Sequence, residues 1–270
     1  MKYFSLLFIA SSIAMPVHVF AQEGSHEQEG WSYTVSVGSI YSPHYLGDDE
    51  SQVSILPNVG ATYEDIFFAS LVEGIGYNAI NSSGFKAGPI VKYDFGRDED
   101  GSNFFGLGDD STDLIGLGDV DGSVEIGAYI EYELEPITVK LEIRQGLGGH
   151  EGVVGEASIS YGGATNVYGQ QIMYSVGPKI SYTDGNYNEA YFGVNLKQST
   201  ASGLAQYNAD DATVSYGFGG NLFIPHTERI STIFFADYTQ LGDTIADSSL
   251  VESRGSDSQF TAGLMLNYTF

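Results

Sequence analysis

The segment Gln259–Phe270 constrains the fold more than any other part of the chain. Phe260, Ala262, Leu264, Leu266, Tyr268 and Phe270 take every second position, with Thr261, Gly263, Met265, Asn267 and Thr269 between them. Successive side chains of a strand point to opposite faces, so the segment has one greasy face and one mild one. It then stops on an aromatic side chain with no polar tail. This pattern predicts the closing strand of a transmembrane β-barrel.

The same alternation recurs along the chain. It predicts twelve strands, near 31–41, 51–63, 67–77, 85–95, 124–134, 137–144, 153–161, 170–182, 190–197, 211–224, 232–238 and 258–270. The expected fold class is therefore all-β, an antiparallel transmembrane barrel of about twelve strands, with ten as the alternative. No segment carries a convincing amphipathic helical pattern, and the connections are rich in Gly, Asp, Asn and Ser. Lys86, Lys92, Lys140, Arg144, Lys179 and Lys197 all fall in these strands, each in the phase opposite to the apolar residues. A charge facing lipid at mid-bilayer costs about 2–4 kcal/mol, so this phasing is what a barrel requires. A soluble sandwich would also alternate, but it leaves the aromatic terminus unexplained.

One hairpin can be drawn from the sequence. A turn at Glu135-Pro136 sets Leu134 against Ile137, Glu131 against Lys140 and Tyr129 against Glu142. Glu125, Glu131 and Glu133 then share the lumen face with Lys140, Glu142 and Arg144, as a partly neutralised ladder. Trp31, Tyr41, Tyr63, Phe67, Phe68, Tyr77, Tyr93, Phe95, Tyr182, Tyr268 and Phe270 cluster near strand ends, as aromatic girdles do. If the first strand runs outward, the connection 96–123 falls on the periplasmic side, where turns should be short. Either that segment is a periplasmic or lumen-folded element, or a strand is miscounted.

At the other end, Lys2, the short apolar run Leu6–Met15 and Val19-Phe20-Ala21 read as an export signal over residues 1–21. A polar segment, 22–30, would lead into a barrel over 31–270. With no cysteine, neither a lipid anchor on sulfur nor a disulfide framework is available. The mean hydropathy of -0.07 is ordinary for a wall that presents only alternate residues to lipid. A net charge of -25 repels nucleic acid and draws cations, including those that bridge lipopolysaccharide.

The motifs point away from catalysis. Arg144–Gly152 holds three glycines in four positions, then His150 and Glu151, but H-E-x-x-H fails because Val154 ends it. The acidic clusters around Asp48, Asp98, Asp109 and Asp119 lack the spacing of a closed calcium loop and read as solvated loops. No cofactor or metal is expected. The segment Gly242–Val251 reads as a long loop outside the cell.

Gly96-Arg97-Asp98-Glu99, Gly116-Leu117-Gly118-Asp119, the run Arg144–Gly152, Tyr191-Phe192-Gly193, Ser202–Tyr207, Leu241-Gly242-Asp243, Ala246-Asp247-Ser248 and Leu250-Val251 stand in one order across nearly the whole chain. As a set they resemble the MipA/OmpV family of outer-membrane proteins, the MltA-interacting proteins. The chain departs from the pattern at Ser249, where the family has proline, and at Asp210-Asp211, where it has glycines. The resemblance implies an outer-membrane barrel in a Gram-negative cell. For the namesake it implies a scaffold that joins a lytic murein transglycosylase to a murein synthase.

Three readings follow. The first is a non-enzymatic scaffold whose connections 96–123 and 144–152 present Arg97, Asp119, Arg144, His150 and Glu151 on a common periplasmic rim. Its surroundings would be outer-membrane lipid and lipopolysaccharide, with the barrel-assembly machinery as a partner during insertion. The second is a passive or weakly selective pore lined by Lys86, Lys92, Glu131, Lys140, Lys179 and Lys197. The third is a lipid-modifying barrel enzyme, with His150 the modest candidate.

Overall fold

The computed structural model describes residues 30–101, 106–107 and 110–270. The expected export signal and most of the polar segment lie outside the described residues, as does Asp109. The chain is a closed antiparallel β-barrel. Its strands are β1 (Trp31–Pro43), β2 (Ser51–Tyr63), β3 (Phe67–Ser70), β4 (Gly74–Tyr77), β5 (Ile80–Ser82), β6 (Phe85–Asp94) and β7 (Ser123–Leu134). The chain continues with β8 (Ile137–Leu147), β9 (Val153–Val167), β10 (Gln170–Thr183), β11 (Thr213–Pro225), β12 (Ile230–Gln240) and β13 (Ser258–Thr269). Apart from β4 and β5, neighbours in sequence pair with each other, β1 pairs β13, and β4 pairs β6 to close the circle. The short β4 and β5 follow one another along β6, so they act as one strand of a twelve-strand wall.

Alternation decides which face each residue takes. In β13, Phe260, Leu264, Leu266 and Tyr268 are exposed, while Thr261, Met265 and Asn267 are buried. In β1, Tyr33, Val35 and Val37 are exposed around buried Ser36. The wall is thus apolar outside and polar within, inverted relative to a water-soluble fold. No helix among the described residues is long and apolar enough to cross a membrane; the strands do so. The turn at Glu135-Pro136 has the expected register, with Leu134↔Ile137, Glu131↔Lys140 and Tyr129↔Glu142.

Two strand expectations are overturned, and they cancel in the count. The stretch 67–77 is a hairpin, not one strand: β3 and β4 pair from Phe67↔Tyr77 to Ser70↔Gly74. The stretch 190–197 is no strand. It belongs to α1 (Gly185–Phe192) and α2 (Leu196–Ser202), joined through Val194, which bridges to Tyr207. Lys197 is consequently exposed on a helix and not in the lumen. α3 (Asp243–Ala246) and α4 (Ser249–Arg254) complete four short helices among the described residues, where none was expected. Phe68 also leaves the proposed girdle. Phe67 turns out against Trp31, so its neighbour must turn in, and Phe68 meets Tyr129 edge-on at 5.8 Å.

Splitting 67–77 inverts the direction of the strands from β6 to β10, and the loss of 190–197 restores it from β11 onward. Turns 64–66, 83–84, 135–136, 168–169 and 226–229 now share one rim with both ends of the barrel. Connections 44–50, 95–122, 148–152, 184–212 and 241–257 share the other. Short turns face the periplasm and long connections face outside. The segments 96–123 and 144–152 therefore lie at the outer rim, opposite to the sequence expectation.

Inside, the tip of the β3–β4 hairpin is tucked into the lumen. Val72 packs there with Phe235 and Met265, flanked by Ile40, Leu56 and Ile233. This waist interrupts the polar lining.

A capped chamber as the candidate functional site

The outer connections fold into a cap with its own hydrophobic core. Leu114, Leu117, Phe192, Val194, Leu204, Leu241, Ile245, Leu250 and Val251 are buried together with Tyr45. Local capping explains why such short helices form. Asp184 accepts from the Tyr187 amide at the start of α1, and Asn195 with Gln198 makes a reciprocal capping box on α2. Ser248 caps α4 by accepting from the Val251 amide. Connections are then tied to one another. Gln198 Nε2 donates to the Leu117 carbonyl (2.6 Å), Ser249 Oγ to that of Ala205 (2.7 Å) and Tyr207 Oη to that of Thr244 (2.9 Å). The Arg254 guanidinium donates to the carbonyls of Asp113 and Ser202.

The departures from the family pattern find an explanation here. Ser249 is the first residue of α4, where proline is favoured, and its hydroxyl supplies a bond that proline lacks. Asp210 and Asp211 have no positive φ, so glycine is not required of them.

Beneath the cap is a chamber of about 170 Å³. Its floor is a ladder of ion pairs built by strand register. Arg144 Nε donates to Glu125 Oε2 (2.7 Å), Nη2 to Glu156 Oε1 (2.9 Å) and Nη1 to Glu142. Lys92 Nζ lies 2.7 Å from Glu142 Oε1, and Lys140 Nζ lies 3.7 Å from Oε2. Lower down, Glu131 stands in register between Lys86 and Lys140, and Lys86 Nζ reaches Glu133 at 3.5 Å. On the far wall Lys179 of β10 meets Asp237 of β12 at 2.7 Å, across β11. Glycine makes that reach feasible: a Cβ on Gly219 would lie 2.0 Å from Asp237 Oδ1.

Of the residues expected to face a partner, only Asp119 and Glu151 are exposed; Arg97, Arg144 and His150 are buried. His150 packs edge-on against Tyr187 at 5.0 Å and has three polar contacts among the described residues. Its amide donates to Ser123 Oγ (3.1 Å), Nδ1 accepts from the Gly152 amide (3.0 Å), and Nε2 lies 3.3 Å from Glu125 Oε1. Gly146 leaves room for the ring, since a Cβ there would come within 2.2 Å of it. An Nδ1 that accepts places the neutral ring's proton on Nε2, toward Glu125. Although the ligand atoms of Asp94, Glu125 and His150 lie within 4.8 Å of one another, the imidazole has no lone pair to offer a metal there. Asp48, expected in a solvated loop, is instead buried beside His44, at 3.2 Å. Burial pushes its carboxyl up to about 6, against the Glu50 amide and His44, which pull it down.

Tyr45, Tyr187 and Tyr191 form the chamber's upper wall, and sequence reasoning missed all three. Tyr187 and Tyr191 pack at 4.7 Å, and Tyr191 Oη donates to Asp94 Oδ1 (2.6 Å). Desolvation raises all three phenols above their ordinary range, so they remain neutral donors. The readable signals were Asp184 ahead of α1 and the Asn195–Gln198 box, both hidden by the strand-like alternation of Ala190, Phe192, Val194 and Leu196.

Comparison with known proteins agrees with this architecture. The chain is 26% identical over 283 residues to the outer membrane protein OmpV of Vibrio cholerae, and 25% identical over the same span to Omp26La of Vibrio anguillarum. Each alignment covers all of both chains. It is 34% identical over 80 residues to the MltA-interacting protein of Escherichia coli, covering 27% of this chain and 29% of that one. Among solved structures, OmpT of Vibrio cholerae aligns with a TM-score of 0.38 at 8% identity, over 89% of this chain and 97% of that one. The profile of the family described as MltA-interacting protein MipA matches residues 35–270, and the chain belongs to that family of outer-membrane proteins of Gram-negative bacteria.

Proposed function

We propose that the protein is a non-enzymatic interaction platform of the outer membrane, with its lumen shut. The observation that carries this reading is the cap, a structured unit with its own buried core where a simple pore would have an open mouth. The waist at Val72, Phe235 and Met265 supports the same reading from below. His150 supports the absence of chemistry, because each of its ring nitrogens already faces a structural partner. For the partner, the name of the Escherichia coli relative, MltA-interacting protein, favours MltA, and the family resemblance adds that this would be a murein transglycosylase joined to a murein synthase. Such partners would meet the short-turn rim and not Arg97, Arg144 or His150. Crosslinking in intact cells, followed by identification of the captured proteins, tests this. Recovery of murein enzymes is the expected result, and a partner list without them removes the narrower reading. Recording in planar bilayers tests the closed lumen: silence is expected, and a steady conductance would replace this reading with the pore.

A further inference from the structure

Every cation that lines the chamber has a carboxylate within reach except one. Lys92 has Glu142, Arg144 has Glu125 and Glu156, and Lys179 has Asp237. Arg97 is only 7% exposed and, among the described residues, no carboxylate oxygen lies within the 4.0 Å of an ion pair. Its Nη1 donates to the Tyr191 carbonyl, its guanidinium lies over the Tyr191 ring at 5.9 Å, and its buried Nε has no hydrogen-bond partner among the described residues. The nearby acids are occupied with neutral donors. Asp94 Oδ1 accepts from Tyr191 Oη and the Gly96 amide, and Asp119 Oδ1 accepts from the Glu99 amide.

A buried charge without a counter-charge is costly, and folds retain one where something else supplies the opposite sign. The chamber is mixed: its floor is the ion-paired ladder, whose acids are matched by Lys92, Arg144 and Lys179, while Tyr45, Leu46, Val154, Phe192 and Leu241 give it apolar and aromatic wall. We propose that the chamber is a binding site for a small carboxylate with an apolar body, whose oxygens take the free edge of the Arg97 guanidinium. The apolar part lies against the tyrosines and Phe192. Arg97 opens the connection that leads into the cap, and it is bonded to α1 through Tyr191. An occupied chamber therefore braces the cap from beneath.

The test uses the purified full-length barrel in detergent micelles and three probes, benzoate, its neutral analogue benzamide and inorganic phosphate, followed by titration calorimetry. Benzoate is expected to bind about ten- to a hundredfold more tightly than benzamide, the size of a charge-assisted bond. It should also outbind phosphate, which lacks the apolar body. Arg97→Gln should abolish the preference for benzoate, and Ser181→Phe, which fills the chamber and leaves Arg97 in place, should abolish binding of both aromatic probes. Equal affinity for benzoate and benzamide, tighter binding of phosphate, or no heat with benzoate on the native protein would overturn the proposal. So would undiminished benzoate binding in a folded Ser181→Phe protein, judged folded by its heat-modifiable gel mobility. If Arg97→Gln fails to fold, the contrast between probes on the native chain and the Ser181→Phe result still decide the matter.

Discussion

Replacing Arg144 with methionine tests whether the ladder is dry. The guanidinium is 5% exposed and touches Glu125 (6% exposed), Glu142 (2%) and Glu156 (21%). Removing one partner of a buried ion pair costs about 3–5 kcal/mol, because the other charge is left uncompensated. Here the loss is divided. Glu142 keeps Lys92 and Lys140, Glu125 keeps the His150 ring at 3.3 Å, and Glu156 is exposed enough to recruit water. The expected cost is therefore near the lower end, about 3 kcal/mol. Adding Glu125→Gln and Glu156→Gln to Arg144→Met removes the orphaned charges and should recover more than half of the loss. The assay is urea unfolding of the barrel in lipid vesicles, followed by gel mobility without heating. A loss below about 1 kcal/mol, the size of a solvent-exposed pair, would refute the reasoning and mean that the ladder is bathed in water. A triple variant no better than the single one would refute it equally.

Further expectations concern the wall and the cap. Gly219→Val should drive Asp237 from Lys179 and cost about 1–3 kcal/mol in the same unfolding assay, whereas Ala236→Gly, on the lipid-facing phase beside it, should not disturb the pair. Ser248→Ala removes the α4 cap and should cost about 1 kcal/mol of local stability, read as faster amide exchange at Val251. The Asp48 carboxyl titrates at about 6 in the folded cap and at 3.8 ordinarily, so the folded state binds its proton more tightly. Its contribution thus favours the cap most below pH 4 and is lost as pH rises through 6. Protease cleavage in 241–257 should accelerate across that window, and Asp48→Asn should flatten the profile.

The wall was legible because its physics has a period. In 137–144 the alternation of Ile137, Val139, Leu141 and Ile143 with Lys140 and Arg144 carries strand, face and register together, and the turn at Pro136 fixes the pairing. Where the same period was produced by other causes, the reading failed. Phe192 and Val194 alternate because both plug the cap core, one from the end of α1 and the other from the bridge that follows it, and no lipid face is involved. Conversely, Phe67–Tyr77 has enough apolar residues for one strand, and only Gly74, at φ +83°, marks the hairpin. Charged residues of the lumen could be assigned opposite positions within the one hairpin with a readable turn, but not partners farther off: Lys179 and Asp237 are 58 positions apart and meet across an intervening strand. The chamber's tyrosines were beyond reach for the same reason: Tyr45 and Tyr191 come from different connections, and only the closed cap brings them together.

The short hairpin that dips into the lumen also sets where the cylinder is mechanically weakest. β3 is held to β2 at four aligned positions and to β4 at four, and β4 and β5 together give β6 five, while β1 and β13 share eight. A zip parts at its shortest run of teeth. Under load or heat the ring should tear beside the β3–β4 hairpin while its first and last strands stay clasped, and the Ala69 amide should surrender its proton to solvent well before that of Val37.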